Sequence, residues 1–364
     1  MHKRINLCIQ GNAANESEWS GTAYYCGKAL EKYTEIAFFN VQPTQSRFRK
    51  GLWRIVQFLQ GKSLYGFQYS KQEVKQLTHQ INRQYESGTL ISFNQLLPND
   101  GEFDRLIYYI DCTLHELFQS SSYEIKLSDS RKKELLEIEK KNYEKADAIM
   151  VMGSWLTTSL TEFYGISNHK VHHVLPGANI SKAKVFPSPH PSSLNIGFVA
   201  KDYKRKGLQY LLEVADNLKE LGIDVQLYLV GECPEEVAQL DHVNYLGYIH
   251  KKEQEVAWFS FLQQCHFGAL FSSDEALGIS VLEFLSAGIP VMGYYHQGLK
   301  DTLVEGASIR ASLGLSAHAM ASNIYSVWSQ QDRYLKMRSV AAELYNMSSW
   351  DRAAEEIIAL TTSK

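Results

Sequence analysis

Short apolar runs recur along the chain, each ending in small, polar or charged residues, and most are followed by a stretch of helical periodicity. Ile5–Ile9, Glu35–Phe39, Leu90–Phe93, Arg105–Ile110, Ala148–Gly153 and Val171–Leu175 form a first series. A second series comprises Asn195–Val199, Val225–Val230, Val243–Gly247 and Phe267–Phe271. Runs that are apolar at nearly every position, without alternation, predict strands buried on both faces of a parallel sheet. Between them Ala23–Tyr33 and Leu208–Leu221 repeat apolar positions at helical spacing, and the charge-laced Ser128–Asp147, with many (i, i+4) pairs, reads as a solvated scaffold helix. Strand and helix in alternation predict an α/β fold of βαβ units. Ser181–Ser193, rich in Ser and Pro, divides the two series and reads as a linker. The expected organisation is therefore a domain over 1–180, a linker over 181–193, a second domain over 194–345, and a terminal segment over 346–364 with an amphipathic helix at Ala353–Leu360.

Composition narrows the function. At 364 residues the chain is long enough for two cores. A net charge of −3 argues against nucleic acid, whose binders carry a basic footprint. Cys8, Cys26, Cys112, Cys233 and Cys265 are scattered without CxxC spacing and read as reduced thiols. No apolar run approaches the ~20 residues that span a bilayer, and MHKRINLCIQG reads as a first strand rather than a signal peptide. A cytoplasmic protein, at most peripheral at the inner face of a membrane, is expected. One segment bears on that last point. Arg47–Lys62 interleaves Arg47, Arg49, Lys50, Arg54 and Lys62 with Phe48, Leu52, Trp53, Ile55, Val56, Phe58 and Leu59, and holds no acid. Such a pattern suits a membrane-binding surface or a polyanionic acceptor site. More often such a stretch is an ordinary helix with a solvated basic face and its apolar face on the core.

Four stretches carry candidate chemistry, each at the expected carboxyl end of a strand, where open α/β sheets bind ligands. After Phe267–Phe271 come Glu275, the glycine turn at Gly278–Ile279, Glu283 and a helix stop at Gly288 with Pro290. Strand, glycine turn and helix start aim backbone N–H groups at one point, which favours an anion. Ser280-x-x-Glu283 also fits a capping box, in which the glutamate only caps the helix. Lys201-Asp202-Tyr203-Lys204-Arg205-Lys206-Gly207 follows Asn195–Val199 with four basic residues, enough to neutralise a pyrophosphate. Asp111-Cys112-Thr113-Leu114-His115 follows Arg105–Ile110. Gly11–Asn15, then Trp19-Ser20-Gly21-Thr22, follows the first strand, but it is not the GxGxxG dinucleotide fingerprint.

The run DEALGISVLEFLSAGIPV resembles the E-x7-E signature of retaining, nucleotide-sugar-dependent glycosyltransferases of family 4, which have the GT-B fold: two Rossmann-like β/α/β domains facing a central cleft, the last helix crossing back to the N-terminal domain. The resemblance implies that Glu275 contacts the donor sugar's hydroxyls and Glu283 the nucleotide ribose, with Gly278 and Ile279 offering N–H groups to the diphosphate. It gives Lys206 the diphosphate clamp, with Lys201 or Arg205 in place of the family's usual arginine. It places Ile249 at the nucleobase edge and Gly21 near the donor phosphate. Asp111, and after it His115, would face the transferred sugar and the acceptor. Of the family's Gly-Phe-Gly after the first glutamate, Ala276-Leu277-Gly278 keeps only the last glycine. No Asp-x-Asp occurs, so no metal and no cofactor are expected beyond a UDP-, GDP- or ADP-sugar co-substrate. The activity the resemblance implies is retaining hexosyl transfer to a hydroxyl acceptor; taken with the basic–aromatic segment Arg47–Lys62 as a peripheral membrane contact, the acceptor expected is a cell-envelope glycan or glycolipid. Sugar-nucleotide epimerase or phosphorylase chemistry on the same frame, and a non-catalytic sugar-nucleotide-binding protein, stand as alternatives.

Overall fold

The computed structural model describes residues 4–59, 66–120, 122, 125–180, 184–190 and 192–362. The chain divides into two compact units. The first comprises residues 1–176 and 353–364, the second residues 177–352. The division falls at Pro176–Gly177, upstream of the stretch expected as a linker. The last helix, Trp350–Thr362, begins in the second unit, and its residues from Ala353 onward belong to the first. Among the described residues no helix is long and apolar enough to cross a membrane.

In the first unit the strands are β1 (Ile5–Cys8), β2 (Gly11–Asn12), β3 (Ile36–Phe38), β4 (Asn40–Val41), β5 (Thr89–Ser92), β6 (Arg105–Ile110), β7 (Ala148–Val151) and β8 (Val171–His173). Six of them form a parallel sheet in the order β3-β1-β5-β6-β7-β8. The two-residue strands β2 and β4 pair antiparallel; nothing so short carries a periodic signal. The second unit holds β9 (Leu194–Ala200), β10 (Val225–Gly231), β11 (Val243–Tyr245), β12 (Phe267–Leu270), β13 (Val291–Tyr294) and β14 (Ser308–Ala311). They form a second parallel sheet in the order β11-β10-β9-β12-β13-β14. This is the doubly wound order, and its direction of winding reverses between β9 and β12.

Each sheet buries the apolar runs that announced it. Ile196, Phe198, Leu227, Leu229, Phe267 and Ala269 join Leu211, Leu218 and Ile324 of the covering helices in one core. A glycine pair seats a further helix. Gly197 and Gly268 are register partners on β9 and β12. A Cβ at them would come within 2.9 Å and 2.3 Å of the Phe284 ring. The helix Ile279–Ser286 therefore drops its Phe284 into a hollow that only two glycines leave open, and that contact fixes its neighbour Glu283.

Two expectations need correcting. The helix Asp129–Lys145 is not a wholly solvated scaffold, because it buries Leu135, Glu139, Asn142 and Tyr143. The basic–aromatic helix, Arg47–Leu59, does not turn its apolar face to the core: it has no buried residue, and Phe48, Leu52, Ile55, Phe58 and Leu59 are exposed. Residues 60–62 of that segment lie outside the described residues.

Candidate nucleotide-sugar site

The reversal point between β9 and β12 is where a doubly wound sheet opens a crevice at its carboxyl edge. The Lys201–Gly207 loop leaves β9 there and the Ser272–Gly278 loop leaves β12 there. Gly207 ties them together. Its φ of +83° admits glycine with least strain, and a Cβ would lie 2.4 Å from the Phe271 carbonyl oxygen. The two chains touch, and Phe271 N–H donates to the Lys206 carbonyl at 3.2 Å.

This contact delivers two cations to one buried carboxylate. The Lys206 ammonium pairs with Glu275 Oε2, and Arg205 Nη1 stands 3.4 Å from the same oxygen. Arg205 Nη1 also donates to the Asp274 carbonyl at 2.8 Å and to Ser272 Oγ at 3.3 Å. Burial drives the Glu275 carboxyl toward its neutral form, but Lys206, Arg205 and the Ser272 hydroxyl outweigh it and hold its pKa below the ordinary 4.5. Lys201 stands elsewhere, its Nζ 6.0 Å from the centre of the Tyr248 ring. Of the two candidates for the family's arginine, the structure brings Arg205 and not Lys201 to Glu275.

The loop after β13 braces the glutamate from the other side. Gln297 Oε1 accepts from Glu275 N–H at 2.8 Å, Gly298 N–H donates to the Glu275 carbonyl at 3.2 Å, and His296 Nε2 lies 2.8 Å from the Ser272 carbonyl. Gln297 holds a positive φ of 42°, and a Cβ on Gly298 would sit 1.8 Å from the Ala276 carbonyl. Sequence reasoning passed over these residues. The signal was available: polar His296-Gln297-Gly298 closing an apolar run, the same pattern that marked the other loops.

Glu283 does not cap its helix. Gly278, with φ +84°, occupies the N-cap, no side-chain cap bond forms, and Ser280 lies inside the helix. The Glu283 carboxylate, buried to 1% exposure, instead pairs with the Lys251 ammonium. Lys251 in turn lies 4.7 Å over the Trp258 ring. Burial raises the Glu283 carboxyl above 4.5, and the opposing pull of Lys251 and Lys206 does not cancel it. Lys251 went unpredicted, since its partner lies 32 residues away and no short motif joins them. Ile249, two residues before it, is buried in the loop after β11.

The remaining candidates belong to the first unit. Asp111 follows β6, and His115 lies in the helix Leu114–Gln119, its ring stacked on Phe163 with centroids 3.6 Å apart. Gly21, with φ +84°, precedes the helix Thr22–Leu30, directly after Trp19 and Ser20, which hold positive φ of 51° and 55°. Non-glycine residues in that region store backbone strain, which clusters at ligand-binding loops. Beneath Asp111–His115 lies a carboxylate the sequence did not flag. Glu139, fully buried, accepts from Leu114 N–H at 2.9 Å, from Tyr143 Oη at 2.8 Å and from the Tyr164 hydroxyl, while Tyr164 Oη accepts from His115 N–H at 3.2 Å. Thr113 Oγ1 and Ser159 Oγ, 3.0 Å apart, fasten the same turn.

Solved structures with this architecture cover the chain from end to end. Sucrose-phosphate synthase from Thermosynechococcus elongatus superposes with a TM-score of 0.71 at 14% identity, over 99% of this chain and 98% of that one. HepE from Anabaena, solved with UDP and glucose, gives 0.67 at 13% identity over the whole of both chains. WaaG, a glycosyltransferase involved in lipopolysaccharide biosynthesis, gives 0.66 at 13% identity over 99% and 100%. The fold is GT-B. Within the second unit, residues 193–330 match the family model for glycosyl transferases group 1. Among curated proteins no sequence matches the chain. The matched segment contains both strand-end loops, Lys251 and both glutamates, whereas Gly21, Asp111, His115 and Glu139 lie outside it.

Proposed function

We propose that the protein is a retaining glycosyltransferase of family 4 that needs no metal and moves a hexose from a nucleoside-diphosphate-sugar to a hydroxyl acceptor. The observation that carries this reading is the buried Glu275 shared by Lys206 and Arg205 at the reversal point of the second sheet, with Glu283 paired to Lys251 eight residues on. Lys206 and Arg205, with the helix start at Gly278–Ile279, suit a diphosphate: preorganised cations and N–H dipoles stabilise charge that grows on a leaving group. Glu275, kept ionised, accepts from sugar hydroxyls and fixes the anomeric carbon. Glu283 accepts from the ribose, and the Ile249 backbone meets the nucleobase edge. Lys201, exposed beside Tyr248, lies at the rim and contributes charge.

In the transfer the bond between anomeric carbon and diphosphate oxygen breaks, with its electrons leaving on the diphosphate. The acceptor oxygen bonds to the same face of the carbon, and its proton passes to a leaving phosphate oxygen. Asp111 and His115 receive the acceptor and the transferred sugar from the first unit, and the strained Gly21 loop offers its backbone to the donor phosphate. The acceptor is a cell-envelope glycan or glycolipid met at the inner face of a membrane. The test combines UDP-, GDP- and ADP-sugars with a cell-envelope extract and follows release of nucleoside diphosphate. Release that requires the extract supports transfer. Release with water or inorganic phosphate alone points to hydrolysis or phosphorolysis, and no release with any donor overturns the reading.

A further inference from the structure

The helix Arg47–Leu59 is built inside out. At 3.6 residues per turn Phe48, Leu52, Ile55 and Leu59 fall on one stripe, and in a surface helix of a soluble protein that stripe packs on the core. Here it faces outward: Phe48 is 78% exposed and Leu59 77%, with Ile55 and Phe58 also exposed. The opposite side makes the attachments. Trp53 packs edge-on against Phe67 with ring centroids 5.6 Å apart, and Arg49 Nη1 donates to Gln76 Oε1. Burying apolar area is the main favourable term in folding, so a stripe left in water by the fold is suited to a further contact.

The charge around the stripe says which contact. Arg47, Arg49, Lys50 and Arg54 lie on this helix and no acid does. Lys50 and Arg54, one turn apart, also line a pocket of about 420 Å³ behind the helix, together with Lys126, Tyr69, Thr44 and Glu73. Glu73, 2% exposed and accepting from Thr44 N–H at 2.6 Å through Oε1, adds one carboxylate to a lining that holds three cations. An apolar ridge on a helix whose other faces carry four cations, with a pocket lined by Lys50, Arg54 and Lys126 behind it, matches the two halves of an anionic amphiphile.

We propose that this face docks on an anionic bilayer, the stripe entering the headgroup boundary and the pocket taking the phosphate of one lipid. The ligand class is a phosphate-bearing membrane lipid. Its reading as the anchor of the acceptor rests on the transferase proposal, whereas the docking itself does not. Amphipathic helices of this kind bind through buried apolar area plus attraction to anionic headgroups.

Flotation with vesicles of phosphatidylcholine, alone and mixed with phosphatidylglycerol, tests the docking without any activity assay. The full chain floats with the mixed vesicles and stays behind with the neutral ones. Lys50→Gln with Arg54→Gln weakens partitioning roughly fivefold per cation removed. Leu52→Ser with Ile55→Ser and Phe58→Ser abolishes flotation; all three side chains are exposed, so the fold is retained, as a circular dichroism melt checks. Lys126→Gln, off the helix but in the pocket, weakens binding to the mixed vesicles as well. Equal flotation with both vesicle types, or unchanged flotation of the helix variants, overturns the proposal; an unaffected Lys126→Gln overturns the pocket's part in it. Dimerisation in sedimentation, lost in the serine variant and without vesicle binding, assigns the stripe to a second copy and also overturns it. Failure here leaves nucleotide binding by the second unit unchanged, so the two readings fail separately.

Discussion

Glu139 offers a stability prediction whose sign and size follow from the structure. Its carboxyl is fully buried under the Asp111–His115 turn, and that burial pushes it up to about 7 against the partial compensation of Tyr164, Leu114 N–H and Tyr143. The groups that face it are these and Tyr108, whose hydroxyl, like those of Tyr143 and Tyr164, is raised by burial and stays protonated across the neutral range. Unfolded, Glu139 ionises near its ordinary 4.5. Between these values the folded chain holds a proton that the unfolded chain has released, so rising pH favours unfolding. At about 1.4 kcal/mol per pH unit the cost reaches about 3 kcal/mol once the pH passes 7, and it is absent below 4.5. Glu139→Gln is neutral throughout and keeps an acceptor for Leu114 N–H. The variant therefore gains on the wild type as pH rises from 5 to 8, by up to about 3 kcal/mol, or roughly 6–12 °C in Tm for a unit of this size. Paired thermal melts across that range measure the difference, in which other titrating groups cancel. A difference that stays flat or falls with pH refutes the reasoning.

Four other outcomes are expected. Lys206→Met leaves Glu275 buried with Arg205 alone, costs roughly 1–3 kcal/mol in urea melts of the second unit, and weakens nucleoside diphosphate affinity by tenfold or more in calorimetry. Gly298→Ala drives a Cβ toward the Ala276 carbonyl at 1.8 Å, where φ itself is unstrained; it displaces the Glu275 loop, so donor affinity drops further than global stability. Asp111→Asn cuts turnover sharply while nucleoside diphosphate affinity stays at the wild-type value, and comparable turnover removes Asp111 from the chemistry. Because burial raises Glu283 while Lys206 and Arg205 lower Glu275, acidification protonates Glu283 first; the acid-side loss of donor affinity persists in Glu275→Gln and disappears in Glu283→Gln, as titrations at stepped pH would record.

Much of this architecture was legible because parallel strands buried on both faces leave unbroken apolar runs, and because a glycine turn after such a run marks a strand's carboxyl end. Arg105–Ile110 and Leu208–Glu220 appear where the pattern put them. Strands β13 and β14 were passed over: VMGY sits behind Pro290 in the tail of a motif, and SIRA alternates over only four residues. At the site, strand ends announced the loops but not which side chain of each loop turns to the crevice. Adjacent loop residues point in different directions, so Lys201 and Arg205 could not be ranked until Gly207 was seen pressed against Phe271. Lys251 meets Glu283, and Glu139 meets Leu114, across long sequence separations that leave no local trace. For the Arg47–Leu59 helix, periodicity gave the stripe but carries no information about which side faces the protein.

The central claim is that the Glu275–Lys206–Arg205 cluster and the Glu283–Lys251 pair hold a nucleoside diphosphate. Thermal shifts with UDP, GDP and ADP, each with and without EDTA, address it most directly. At a hundred times its dissociation constant a bound nucleotide adds about 2.7 kcal/mol of stability. One diphosphate should stabilise the protein regardless of EDTA, and at the same nucleotide concentration the shift should fall to about half or less in both Lys206→Met and Glu283→Ala, since a tenfold loss of affinity leaves about 1.4 kcal/mol. No shift with any of the three, or a shift undiminished in both variants, contradicts the account.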